Sequence, residues 1–432
     1  MSLNAVSADP FEKLDAELSA VVNDRSHPLA SLSVLAVRDG KVVYQKQFGQ
    51  RFIDPARPGK NRPADQNTLY RVASISKLVT ALGVMKLVEE GKLNLDADVS
   101  VLLGYELRNP HFPARPISLR MLLSHTSSLR DAGGYYWAST HSLKDVLLPA
   151  GPLYGKGAMW ASNAPPGEHF SYTNLNSGVI ASLMERAGGE RFDRLMRRLI
   201  LDPMGLRGGF NPADFTSAEL QDLATLYRKR TEADGKEVWN PGGPWVAQVD
   251  DYSQNAPISR AGPDYLPGSN GTLFGPQGGL RISAIDLGKI MLMLMNRGEH
   301  EGKQILKPET VAAMFAEQWR QDGRSADDNR GLFNAWGLGN QHFLDLSAPG
   351  RGDRLVEGGG FKGVGHLGDA WGLTAAFVFD PVTRAGAIYL IGGPGADPES
   401  YQGIYSSRYR YEELIMTALY RHAIRTAAAE ER

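Results

Sequence analysis

Ser74-Ile75-Ser76-Lys77 carries the most chemistry per residue in this 432-residue chain. Residues three apart are neighbours on one helix face, so Ser74 and Lys77 would stand side by side at a helix start. A serine hydroxyl is a weak nucleophile at neutral pH until a base takes its proton. A lysine is such a base only when burial or nearby positive charge lowers its pKa. The spacing also fits a plain exposed helix start with a solvated lysine, so the reading depends on partners elsewhere. Two candidate partners follow downstream: Tyr172-Thr173-Asn174 and His366-Leu367-Gly368. Tyr172 could also be a core tyrosine, Asn174 a helix cap and His366 a polar residue at a strand start.

Composition removes several other chemistries. There is no cysteine, which excludes disulfides, thiolate metal sites and a cysteine nucleophile. Nine histidines lie scattered without carboxylate spacing and no H-E-x-x-H occurs, so no metal or other cofactor is expected. A net charge of −1 with dispersed Lys and Arg leaves no footprint for nucleic acid. No run of eighteen apolar residues predicts a transmembrane helix. No G-x-S-x-G elbow is present, which argues against an α/β-hydrolase. Gly358 to Gly363 and Gly363 to Gly368 both match G-x-G-x-x-G, but neither links a strand to the helix of a βαβ unit. Cysteine usage leaves the compartment open: periplasmic or secreted if a leader has been removed, cytoplasmic otherwise.

The elements that must position these residues follow from periodicity. Asp9-Pro10 begins a helix carrying Phe11, Leu14, Leu18, Val21 and Val22 at helical spacing. Leu32–Val37 and Val42–Phe48 are apolar strands joined by Asp39-Gly40, a hairpin signal. The helix after Ser74 is expected to be amphipathic, with Leu78, Leu82 and Met85 inward and a stop at Gly91. Further helices are expected at 117–123, 176–187, 191–201 and after Ser283. Paired strands are expected at 371–379 and 385–391, then a helix at 411–422 with a stripe of Leu414, Ile415, Ala418 and Leu419, and a fraying tail from Ala427. Residues 130–170 and 207–275 read as long loops that could line a cleft. The fold class expected is α/β (α+β): one antiparallel sheet flanked by the N- and C-terminal helices, with an inserted, mainly helical lobe. Residues 1–70 and 276–432 would form the sheet domain, 71–275 the helical domain, and the active site the cleft between them.

The ordered motifs resemble the serine β-lactamase and penicillin-binding protein superfamily. Ile117 to Ser127, ending in a leucine pair, a histidine and Thr-Ser, is similar to a stretch of that family. So are Pro166-Gly167-Glu168-His169-Phe170, Asp202-Pro203-Met204-Gly205-Leu206 and Gly278-Gly279-Leu280-Arg281-Ile282-Ser283. Tyr-x-Asn at the second motif points to the branch of class C β-lactamases, D-alanyl-D-alanine carboxypeptidases, D-aminopeptidases and β-lactamase-like esterases. The resemblance implies acyl transfer through a covalent serine ester. Ser74 would attack, Lys77 and Tyr172 would share the proton work, and Asn174 would hold Lys77 or the acyl amide oxygen. The oxyanion would lie at the backbone N–H groups of Ser74 and Asp369. Gly368 would be small so that substrate can lie along the strand edge.

His366 departs from the lysine usual at the third motif. A mostly neutral histidine weakens recognition of a free carboxylate and favours ester, amide or D-amino-peptide substrates over β-lactams. Leu367 removes a hydroxyl that the family usually has. His125 is expected to hold loops together. Tyr135, Tyr136, Trp137 and Trp160 could line the acyl pocket or pad a loop. The expected function is therefore a serine hydrolase acting on an ester, a D-amino-acid peptide or amide, or a β-lactam. The alternative is a penicillin-recognising sensor that acylates without turnover. The expected partner is a small-molecule or peptide substrate.

Overall fold

The computed structural model describes residues 10–323 and 326–425. The expected Asp9 cap and the tail from Ala427 lie outside them. A nine-stranded antiparallel sheet forms the body. Its order is Trp319–Arg320, Ala335–Trp336, Gln341–Phe343, Gly363–Ala370, Leu373–Asp380, Ala385–Ile391, Ser31–Arg38, Lys41–Phe52 and Arg62–Pro63. Alternation sorts the central strands onto two faces. Val34, Ala36, Val378 and Tyr389 pack with the terminal helices Glu12–Val22 and Arg410–Leu419. Leu35, Val37, Phe377 and Phe379 pack with the helices Ile75–Glu89 and Ala284–Met295. The terminal stretches thus supply the sheet and its outer cover, as the periodicity predicts. In the last helix Met416 is buried where the expected stripe has Leu414 only half-buried.

The local signals explain several joints. Asp39 and Gly40 both have positive φ, 53° and 71°, the backbone of a two-residue turn whose twist matches its strands. Ser283 caps its helix by accepting from Asp286 N at 3.0 Å. Gly91, at φ 69°, follows the last turn of the helix Ile75–Glu89. Where the chain enters and leaves the middle segment, Tyr70–Arg71 pairs with Arg281–Ile282.

Four expectations need correction. The helix Ile75–Glu89 is not amphipathic: all but Lys86, Val88 and Glu89 are buried, because the strands Gly363–Ala370 and Leu373–Asp380 and the helix Leu175–Gly188 all pack on it. Ser118 is the cap of a shorter helix, Leu119–Leu123, accepting from Met121 N. Trp371 stands at a turn with φ 50°, and its strand begins at Leu373. The stretch 207–275 holds a three-stranded sheet, Lys236–Trp239, Leu226–Ala233 and Trp245–Val249. Its central strand carries Arg228, Lys229 and Arg230 over half-exposed backbone, so no apolar alternation marks it.

Candidate active site

Ser74 sits at a forced corner. Ala73 precedes it with φ 45°, a left-handed conformation costly for a residue with a Cβ. The chain then enters the helix directly from Ser74. That places the Ser74 side chain at a helix N-terminus, where partial positive charge favours a developing alkoxide. Ser76, two residues on, is fully buried and accepts from Leu280 N at 3.0 Å, so its hydroxyl serves the scaffold.

Lys77 is 5% exposed and meets three oxygens: Ser74 Oγ at 2.9 Å, Asn174 Oδ1 at 2.8 Å and the Gln277 carbonyl at 3.0 Å. Asn174 Oδ1 and Gln277 O can only accept. A neutral amine has two hydrogens, which those two acceptors use, so its lone pair faces the Ser74 hydroxyl. Burial lowers the Lys77 pKa from 10.5 to about 7, and the Asp131 carboxylate opposes that fall only in part. Lysine is therefore available as a base near neutral pH.

Tyr172 packs beneath this amine, with Lys77 Nζ 4.7 Å from its ring centroid. Its ring is stacked on Phe333 (5.2 Å) and flanked by His125 (4.6 Å) and Trp336 (5.7 Å). Burial pushes the phenol pKa above its ordinary value, and contact with Ser74 offsets little of this. Tyr172 is thus a phenol, not a phenolate, at neutral pH. Two hydrogen bonds from its neighbours fix it: Ser171 N donates to the His125 carbonyl (2.9 Å) and Thr173 N to His125 Nδ1 (3.1 Å). His125 itself has φ 58° and is buried, and its burial lowers its pKa well below the usual value. Holding loops is the role expected for it.

His366 lies inside the strand Gly363–Ala370, paired with Phe377. It is 3% exposed, and burial, then repulsion from Lys77, brings its pKa to about 3. Its Nδ1 lies 2.7 Å from the Leu367 carbonyl, which can only accept, so the ring is the neutral Nδ1–H tautomer. Nε2 then carries a bare lone pair and has no hydrogen-bond partner among the described residues. The neighbouring strand Gln341–Phe343 pairs only with Gly363–Gly365, leaving the outer edge from His366 to Ala370 without a strand partner among the described residues. Gly368 stands on this edge against the chain itself. A Cβ there would fall 2.6 Å from the Val72 carbonyl, so the need for glycine comes from the segment leading to Ser74 as well as from any substrate.

Ser74, Tyr172, His366, Gly368 and Asp369 line one cavity of about 240 Å³. Its far wall includes Phe333, Arg330, Tyr409 and Glu412. Burial and then the Glu412 carboxylate raise the Asp369 carboxyl to about 6. Of the two readings left open for Tyr135, Tyr136, Trp137 and Trp160, pocket lining or loop padding, the first is not met at this cavity, whose lining includes none of the four. Trp160 is a core residue whose indole donates to the Leu147 carbonyl at 3.0 Å. Tyr135 and Trp137 pack against the edge of the same core. Tyr136 is 46% exposed and lies under Arg260. Loop aromatics do not reveal which way they turn: Phe333 also lies in a loop and stacks on Tyr172, whereas Trp336 is aimed at Tyr172 from the strand Ala335–Trp336.

Sequence reasoning also missed Asp131 and the Gln277 carbonyl. The carbonyl has no side-chain signature. Gly278-Gly279 beside it is the only trace, and Arg71 Nε fixes that segment by donating to Gly278 O at 3.1 Å. Asp131 receives three hydrogen bonds from the Asn174 region, described below. No cluster able to hold a metal occurs among the described residues.

Comparison with known proteins gives relatives in sequence and in fold. Penicillin-binding protein 4* of Bacillus subtilis is 30% identical over 182 residues, 40% of this chain and 36% of that protein. Esterase EstB of Burkholderia gladioli is 28% identical over 260 residues, 52% of this chain and 59% of the esterase. The matched segments thus span about a third to three fifths of these relatives. The fold matches EstCE1, a hydrolase with promiscuous acyltransferase activity, at TM-score 0.61 and 21% identity, covering 95% of this chain and 98% of that one. It also matches the D-amino acid amidase of Ochrobactrum anthropi SV3 at TM-score 0.59 and 17% identity, covering 97% and 99%. The Beta-lactamase family model matches residues 12–405, which include every motif that meets at Ser74, and the chain belongs to that family.

Proposed function

We propose that this protein is a serine hydrolase that works through an acyl-enzyme on esters or on amides of the D-amino-acid type. One observation carries the reading: Lys77 is buried, donates to two obligate acceptors and turns its remaining valence to Ser74 Oγ. As Oγ attacks the substrate carbonyl carbon, Lys77 Nζ takes the hydroxyl proton. The carbonyl oxygen becomes an oxyanion, received by the backbone N–H groups of Ser74 and Asp369. Collapse breaks the bond to the leaving group, which takes a proton from the Tyr172 phenol, and Lys77 ammonium returns one to Tyr172. Water then attacks the ester, giving its proton to the same pair, and Ser74 is released.

The neutral His366 supports the choice of substrate. It offers a substrate an acceptor lone pair rather than a cation, which does not suit a free carboxylate. The relatives named as an esterase and an amidase fit that preference. Intact mass spectrometry after mixing with a short-chain ester, a D-alanyl peptide and nitrocefin in turn tests the reading. A transient adduct from the ester or peptide that clears with product release supports it. A lasting adduct from nitrocefin alone would identify a penicillin sensor instead.

A further inference from the structure

Asn174 can serve Lys77 only if its amide points one way. Its oxygen must face the amine, and its NH2 must face elsewhere. A reversed amide would set two N–H groups against Nζ and remove one of its two acceptors. Nothing in the asparagine side chain itself prevents that reversal. Asp131 does. Its Oδ2 accepts from Asn174 Nδ2 and from Asn174 N, both at 2.9 Å, and its Oδ1 accepts from Leu175 N at 3.0 Å. A carboxylate can only accept, so it binds the NH2 end and rejects the oxygen end. The same bonds supply the start of the helix Leu175–Gly188, whose Asn174 makes no side-chain cap of its own.

We infer that Asp131 is a positioning residue of the active site, holding the Asn174 amide in the one orientation that lets Lys77 aim its lone pair at Ser74. The inference rests on the reading of Lys77 as the base. Asp131 lies outside every motif that carries the family resemblance. It acts on Lys77 through Asn174 and, at longer range, through its charge. The titratable groups around Lys77 are Asp131, Tyr172, His125 and His366. The last three are neutral at pH 7 by the shifts given above. Asp131 is therefore the carboxylate that resists the fall of the Lys77 pKa.

The charge and the orientation separate in two variants. Asp131→Asn keeps the shape, loses the charge and can still accept from Asn174 through its own oxygen. Asp131→Ala loses both. Each is assayed with p-nitrophenyl butyrate as kcat/KM against pH from 5 to 9, beside a thermal melt. In the wild type an ascending limb centred near pH 7 reports Lys77 losing its proton. Asp131→Asn is expected to move that limb to lower pH. Asp131→Ala is expected to lower kcat roughly ten- to hundredfold through misplacement, with KM little changed. A helix cap alone would lower the melting temperature and leave the limb and kcat of the folded enzyme in place, and that result overturns the inference. A wild type with no limb near pH 7, or a Lys77→Ala variant of undiminished rate, would instead overturn the reading of Lys77 beneath it.

Discussion

Two buried cations that meet the segment from Gln277 to Arg281 are treated in opposite ways. Arg281 is 5% exposed and forms a two-pronged ion pair with Asp250, Nη2–Oδ1 at 2.6 Å and Nε–Oδ2 at 3.0 Å. Burial pulls its pKa down, and Asp250 more than reverses the effect. Lys77 is equally buried and touches the segment through the Gln277 carbonyl, yet no carboxylate lies within ion-pairing distance of it among the described residues. Its pKa falls to about 7. Arg71, stacked 3.8 Å from Trp371, sits between these limits at about 9. A structural cation is compensated; the cation proposed to release its proton is surrounded by acceptors without charge. The difference is one of partners, since depth is the same.

That contrast can be broken at either end. Removing the reactive pair has the largest effect. Ser74→Ala and Lys77→Ala should each reduce hydrolysis of p-nitrophenyl butyrate by roughly a thousandfold or more, measured as kcat/KM, while the proteins stay folded. Either variant at wild-type rate would break the assignment. At the paired cation the loss should be in stability. Asp250→Ala strands a buried guanidinium and should cost about 3–5 kcal/mol by denaturant unfolding, as for a broken buried pair. A cost below about 1 kcal/mol would mean that Arg281 finds water instead.

A smaller effect distinguishes the two cations by pH. The folded-state pKa of Lys77 lies below its unfolded value of 10.5. Between pH 7 and 10 the unfolded chain binds more protons, so stability at this site rises with pH. Lys77→Met should therefore stabilise the protein most below pH 7, and the gain should shrink toward pH 10. A gain independent of pH would mean the lysine keeps its proton in the fold. The smallest effect is expected at His366. His366→Lys puts a cation on the strand edge beside Ser74 and should raise relative activity toward substrates with a free carboxylate, by a few-fold in the ratio of kcat/KM values. No change in that ratio would remove the specificity argument.

Legibility followed the same division. Side chains that act by type and spacing stood out: Ser74 and Lys77 by helical spacing, Tyr172 and Asn174 as a Tyr-x-Asn motif in family order after them. The sheet was legible where apolar runs met Asp39-Gly40 or Asp380-Pro381. What escaped has no pattern of its own. Gln277 contributes a carbonyl that any residue carries. Asp131 is one loop aspartate among many. The strands around Arg228 to Arg230 bury too little on either face to alternate. His366 was legible as a neutral group, but its bare Nε2 follows from the Leu367 carbonyl, which only the folded strand brings round.

The central claim is that Lys77 is an amine close to half-deprotonated at neutral pH. Lysine labelled with 13C at Cε allows its titration to be followed by NMR, with the Lys77 signal assigned by its loss in Lys77→Ala. A midpoint near 7 is the predicted result. A midpoint near the ordinary lysine value of about 10.4 would show a permanent cation beside Ser74, and the base would have to be sought elsewhere.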